Sequence, residues 1–98
     1  MKLQAVCHEL AVEEFLSAVK WYEDQRSGLG TEFEAACLAA ITLIEQHPLS
    51  FPVAHREIRR LVLRRFPYTI LYRARETELV IVAVMHERRD PRRWGARR

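Results

Sequence analysis

Leu79-Val80-Ile81-Val82-Ala83-Val84-Met85 is an unbroken apolar run. It has no polar alternate, which predicts a strand covered on both faces and central in a sheet, with His86 ending the buried stretch. It is far too short for a membrane helix, which needs roughly 20 apolar residues. Just upstream, Thr69 to Ala74 carries β-branched and aromatic residues at Thr69, Ile70 and Tyr72, with Glu76-Thr77 in the tight connection between the two strands. Further back, Ile58 to Arg65 alternates. Leu61 and Leu63 share a face with Arg59 and Arg65, and Val62 lies opposite with Arg60 and Arg64. Phe66-Pro67-Tyr68 separates these two strands, because proline cannot donate to a ladder. The second half of the chain therefore reads as a three-stranded antiparallel meander.

The first half reads differently. Leu3 to His8, centred on Val6 and Cys7, is too brief for a helical stripe and predicts a first strand. From about Ala11, the residues Val12, Phe15, Val19 and Tyr22 recur at helical spacing, with Glu13, Glu14, Lys20 and Glu23 left for the wet face. Ser27-Gly28-Leu29-Gly30 breaks that pattern, since glycine reaches left-handed backbone angles cheaply. Thr31-Glu32-Phe33-Glu34 has the form of a capping box and predicts the start of a second helix. Its stripe is Phe33, Ala36, Cys37, Ala40, Ile41 and Ile44, and Pro48 closes it. Small alanines along it let the first helix approach closely. Pro48 to His55 reads as a loop. Strand, two helices and three strands give an α+β fold: a helical hairpin on one face of a small, mostly antiparallel sheet, whose other face is solvated or a docking surface.

Ninety-eight residues allow one domain, 1–98, with a basic tail at about 87–98, and exclude a multi-domain enzyme. The formal charge of +3 hides an asymmetry. Residues 1–55 carry three basic against eight acidic side chains, a net of −5, while residues 56–98 carry thirteen arginines against five acids, a net of +8. Every base in the second half is arginine, whose planar fork suits phosphate or carboxylate, so an acidic or nucleic-acid partner is favoured. Cys7 and Cys37 lack metal-ligand spacing and read as small buried hydrophobes of a reducing compartment. No leader pattern is visible at the start, and a cytoplasmic protein is expected. A glycine-rich phosphate loop, a nucleophile elbow, a His-Glu-x-x-His helix and paired hydrolytic carboxylates are all missing, so neither metal nor cofactor is expected.

Several segments, in this order and spacing, resemble the RelE/ParE superfamily of bacterial type II toxin–antitoxin toxins over nearly the whole chain. They are Trp21-Tyr22-Glu23-Asp24-Gln25, Gly28-Leu29-Gly30 followed by Phe33, Pro48 with Phe51-Pro52, and Arg65-Phe66-Pro67-Tyr68-x-Ile70-x-Tyr72. Val82-Ala83-Val84-Met85-His86-Glu87-Arg88-Arg89-Asp90-Pro91-x-x-Trp94 resembles the ParE-like branch in particular. The resemblance implies a growth-inhibiting toxin silenced by a cognate antitoxin protein in a hetero-oligomer. It implies ParE-like inhibition of DNA gyrase, with RelE-like ribosome-dependent mRNA cleavage as the alternative target chemistry.

Metal-free RNA cleavage needs a base for the 2′-hydroxyl, positive charge on the phosphate and a proton for the leaving oxygen. His86, Arg88 and Arg65 are the candidates for those roles. Thr69 stands where RelE-like nucleases often carry an arginine, and Trp94 where they carry a C-terminal tyrosine, which favours the protein-inhibitor reading. The candidate target-binding residues are Arg64, Arg65, His86, Arg88, Arg89, Arg92 and Arg93. The plainer alternatives are a strand-capping histidine for His86, ion pairs to Glu57, Glu76 or Glu78 for Arg64 and Arg65, and a hydrophobic latch for Trp94.

Overall fold

A computed structural model describes residues 3–88 and 97. The elements run β1 (Ala5–Cys7), α1 (Glu9–Gln25), α2 (Leu29–Gln46), β2 (Val53–His55), β3 (Ile58–Val62), β4 (Tyr68–Ala74) and β5 (Leu79–His86). The five strands form one sheet in the order β1-β5-β4-β3-β2. β1 runs parallel to β5, and every other neighbour is antiparallel. The expected α+β architecture is present.

The helical hairpin packs on one face. Phe33 is fully buried in α2, with Cys37, Ala40 and Ile44 below it, meeting Ile70 and Tyr72 of β4 and Leu79, Ile81 and Val84 of β5. Its ring stands at the centre of an aromatic group, 5.0 Å from Tyr22, 5.1 Å from both Phe66 and Tyr68, and 6.3 Å from Phe15. Mostly tilted or edge-on, these rings satisfy the preference of aromatic quadrupoles. Burial pushes the Cys37 thiol up to about 12. The buried Tyr72 hydroxyl donates to the Pro48 carbonyl at 2.6 Å, and Arg59 donates to the carbonyls of Phe51 and Leu49, so the chain leaving α2 is pinned to the sheet.

In several places the structure departs from expectation. α1 faces the core with Ala11, Ala18 and Tyr22 and with half-buried Phe15 and Val19, while Val12 is 40% exposed. Two alanines let the helix lie close to β5, and the rotation that brings them inward carries Val12 out. The capping box is not formed, because α2 begins at Leu29 and takes Thr31 into its first turn. Glu23 of α1 supplies the missing acceptor: its carboxylate takes the Gly28 amide at 2.9 Å and the Gly30 amide at 3.0 Å. Gly28 makes the turn with φ of 91°, whereas Gly30 is helical and permits close approach.

The loop after Pro48 contains β2, a short edge strand whose three residues were too few to show a period. β3 ends at Val62, and Leu63–Pro67 form the turn, closed where Leu63 N–H donates to the Tyr68 carbonyl. Cys7 is exposed because β1 is an edge strand.

The face turned from the helices is neither bare nor polar. Ile58, Leu71, Val80, Val82, Ala83 and Met85 form a second buried cluster there. Thus β5 is covered on both faces, as its unbroken apolar run predicted. A bulge lets Val82 stand without a partner between the pairs Leu71–Ala83 and Tyr72–Ile81. That extra residue puts Val82 and Ala83 together on the second face and returns Val84 to the first.

Candidate target-binding surface

β1 stops at Cys7, so past Ile81 no strand among the described residues lies beside the outer edge of β5. α1 flanks that edge instead. Between them lies a cleft of about 440 Å³ lined by Leu10, Glu13, Glu14, Ser17, Ala18 and Trp21 of α1, by Tyr68, by Val84, Met85 and His86 of β5, and by Arg97. Trp21 is 57% exposed at its rim and stands edge-on to Tyr22. A strand edge, an exposed indole and charged groups of both signs suit a protein or nucleotide partner better than a small apolar ligand.

His86 closes β5 at one end of this cleft. It pairs in register with Tyr68, and the two rings meet edge-on with centroids 5.4 Å apart. Its Nδ1 accepts the Arg88 N–H at 3.3 Å. In the neutral imidazole this acceptor nitrogen is the unprotonated one, so Nε2 carries the proton and is the ring's donor. This bond lies at the end of β5, as the plainer of the two readings of His86 has it.

The turn from Leu63 to Pro67 abuts this end of the sheet, because Glu87 N–H donates to the Pro67 carbonyl at 2.8 Å. The fold thus brings Arg64, Arg65, His86 and Arg88 to one end of the sheet. Their availability differs. Arg64 and Arg88 are exposed, and neither joins an ion pair among the described residues. Arg65 is committed: its guanidinium pairs with Glu32 at 2.5 Å and lies 5.1 Å from the Phe66 ring centroid. That hydrogen bond, with Arg26 nearby, holds the Glu32 carboxyl below its ordinary value.

The acids proposed as partners for Arg64 and Arg65 lie elsewhere. Glu57 pairs with Arg73 at 2.5 Å and with Arg75 at 2.9 Å, chiefly the Arg75 hydrogen bond holding its carboxyl below the usual range. Arg89, Arg92, Arg93 and Trp94 lie outside the described residues. Trp21, Tyr68 and Glu14 belong to the cleft without having been singled out as target-binding residues, and Arg97 belongs to it as one of the arginines of the basic tail. Glu13 and Glu14 looked like ordinary wet-face acids, and nothing in helical periodicity says that one of them meets a strand edge.

Among the described residues no cluster of His, Cys, Asp and Glu is placed to hold a metal, and no helix is long and apolar enough to cross a membrane. The arrangement is the α+β one expected from the resemblance, a helical hairpin on a five-stranded, mostly antiparallel sheet, with arginines gathered at one sheet end. Residues 6–91 match the family described as the ParE toxin of the type II toxin–antitoxin system parDE, and the chain belongs to that family. Among solved structures it is similar to the chromosomal ParDE TA system from P. aeruginosa, with a TM-score of 0.77 over 87% of this chain and 96% of that chain. Sequence identity there is 13%, so that likeness concerns the fold. No curated protein matches the chain.

Proposed function

We propose that this toxin arrests growth by binding and inhibiting DNA gyrase in the cytoplasm, and that a cognate antitoxin protein neutralises it in a hetero-oligomeric complex. The observation that carries the choice of inhibition over RNA cleavage is the orientation of His86. A general base must present an unprotonated nitrogen to the proton it removes. Here the lone pair of Nδ1 is occupied by the Arg88 N–H, which leaves Nε2 of a neutral ring as a donor. Arg65, the third member of the nuclease set, is held by Glu32. What remains is a donor-rich, basic surface of Arg64, His86 and Arg88, with Arg89, Arg92 and Arg93 following in sequence, suited to carboxylates or phosphates of a macromolecular target.

Induced expression should stop growth, raise the DNA-damage response and leave transcripts intact. His86→Gln places an amide N–H near the position of Nε2–H, so it should retain growth arrest. Transcripts cut at codon-spaced positions, with cutting abolished by His86→Gln, would establish the ribosome-dependent endoribonuclease instead.

A further inference from the structure

β1 and, past Ile81, β5 bound one side of the sheet, with no strand among the described residues beyond them. Two glutamates from the helices reach this edge. Glu45 Oε2 of α2 accepts the Ala5 N–H of β1 at 2.8 Å, and Glu14 Oε1 of α1 accepts the Val84 N–H of β5 at 3.1 Å. Both amides face outward. His8 N–H donates to the Ile81 carbonyl, so by alternation Val6 N–H also faces β5 and Ala5 N–H faces away from it. Val84 lies past the end of β1, and Glu14 gives its N–H the partner a neighbouring strand would have supplied. On the same edge the Val82 carbonyl accepts Arg97 Nη1 at 3.1 Å, and that guanidinium holds the Glu14 carboxylate as a fork, at 3.0 Å and 3.1 Å.

The two edges of the sheet are protected by different means. β2, the far edge, follows Pro52 and is irregular in its pairing between Val53 and His55, two features that hinder strand addition. The β1 edge has neither. Leu3 to His8 contains no proline and no lysine, arginine or acid, its pairing with β5 is regular, and Val6 is 62% exposed. An uncharged edge of this kind is a template for another strand. Because it is the same in every copy, two chains can meet there about a two-fold axis, each edge facing its own image without opposing charges of like sign. The cleft lined by Trp21 and His86 lies along this edge, and such pairing would cover it.

We propose that Glu14 and Glu45 are edge guards: by occupying the outward amides of Val84 and Ala5, they keep the toxin from pairing, strand to strand, with a second copy of itself. An ionised carboxylate accepts and has no hydrogen to donate, so it satisfies an edge N–H without offering a partner strand the donor its carbonyls need. Each guard comes from a different helix, so the hairpin that builds the core also closes the edge beside it. A closed edge leaves the cleft open to other proteins, whichever target the toxin has.

Glu14→Ala with Glu45→Ala removes both acceptors, whereas Glu14→Gln with Glu45→Gln keeps them. Sedimentation equilibrium over a dilution series, with hydrogen exchange at the Ala5, Val84 and Ile70 amides, compares each double variant of the full chain with the wild type. The wild type and the glutamine variant should remain monomeric throughout. The alanine variant should rise toward twice the monomer mass as concentration increases. Its Ala5 and Val84 amides should exchange faster than in the wild type when dilute and slow down on association, while Ile70, in the centre of the sheet, exchanges as before. Adding Val6→Lys, a charge on the exposed side of β1, should return the alanine variant to the monomer. An alanine variant that stays monomeric would overturn the proposal, as would a wild type or a glutamine variant that associates to the same degree. So would association that persists with Val6→Lys, or that accompanies accelerated Ile70 exchange, since the copies would then meet through unfolded chain and not through the edge.

Discussion

A Cβ placed on Gly30 would stand 2.6 Å from the Val19 carbonyl oxygen, 2.9 Å from a Glu23 carboxylate oxygen and 3.0 Å from Glu23 Cβ. The backbone oxygen belongs to the facing helix and has little room to retreat, so the side chain's absence lets α1 and α2 touch. Gly30→Ala should destabilise the protein by about 1–3 kcal/mol, as overpacking does, and the shift in urea midpoint measures it. Glu23→Ala leaves the amides of Gly28 and Gly30 without their carboxylate partner and should cost about 1 kcal/mol, the usual value of a lost helix cap. The two cysteines differ in the same local way. Cys37 is fully buried with its thiol pushed up to about 12, whereas Cys7 is exposed on the edge strand. A thiol reagent at neutral pH should therefore label Cys7 in the native protein and reach Cys37 only after unfolding. Two fast-reacting thiols in native buffer would contradict the packing of α2.

At the scale of elements, the hairpin is bound to the sheet in two ways. Apolar contact dominates, and Phe33→Ala should cost about 3–5 kcal/mol by emptying the centre of the aromatic group. Charge adds a smaller, pH-dependent part through Glu32–Arg65, and the connection preceding β3 has a matching pair in Glu57–Arg73. Both carboxyls are held below their ordinary value of 4.5 in the folded protein. Their contribution is complete above the unfolded value and is lost as pH falls through the lower folded one. Acid unfolding of a Glu32→Gln, Glu57→Gln double variant should accordingly show a shallower fall in stability over that window than the wild type. Most of this architecture was legible in the sequence. The unbroken run Leu79 to Met85 announced a strand covered on both sides, and the spacing from Phe33 to Ile44 announced the buried stripe of α2. Less legible were features decided by tertiary contact. Glu23 displaced Thr31 and Glu34 as the cap because the preceding helix brought a carboxylate to the turn. The alanines of α1 turned inward because β5 lies close, and β2 exists by pairing with β3.

For the whole molecule, opposite charges in the two halves have distinct uses. The acidic half supplies Glu32 and Glu14, which engage Arg65 and Arg97 of the basic half, so part of the asymmetry is consumed in holding the fold together. Arg64 and Arg88 remain exposed at the sheet end where His86 lies, and these were legible as target-binding candidates. Arg65 was legible as basic, yet sequence alone did not show that Glu32 would hold it. Nor did it show Glu14, whose role depends on β1 ending before β5 does. The surviving basic surface, with a histidine whose ring lone pair is taken up by the Arg88 N–H, is the basis for reading the chain as an inhibitor of its target. The direct measurement is supercoiling of relaxed plasmid by purified gyrase, titrated with the purified toxin. Supercoiling that falls as toxin is added, with mRNA uncut by the same preparation on translating ribosomes, is the predicted result. Undiminished supercoiling with codon-positioned cuts in the mRNA would contradict it.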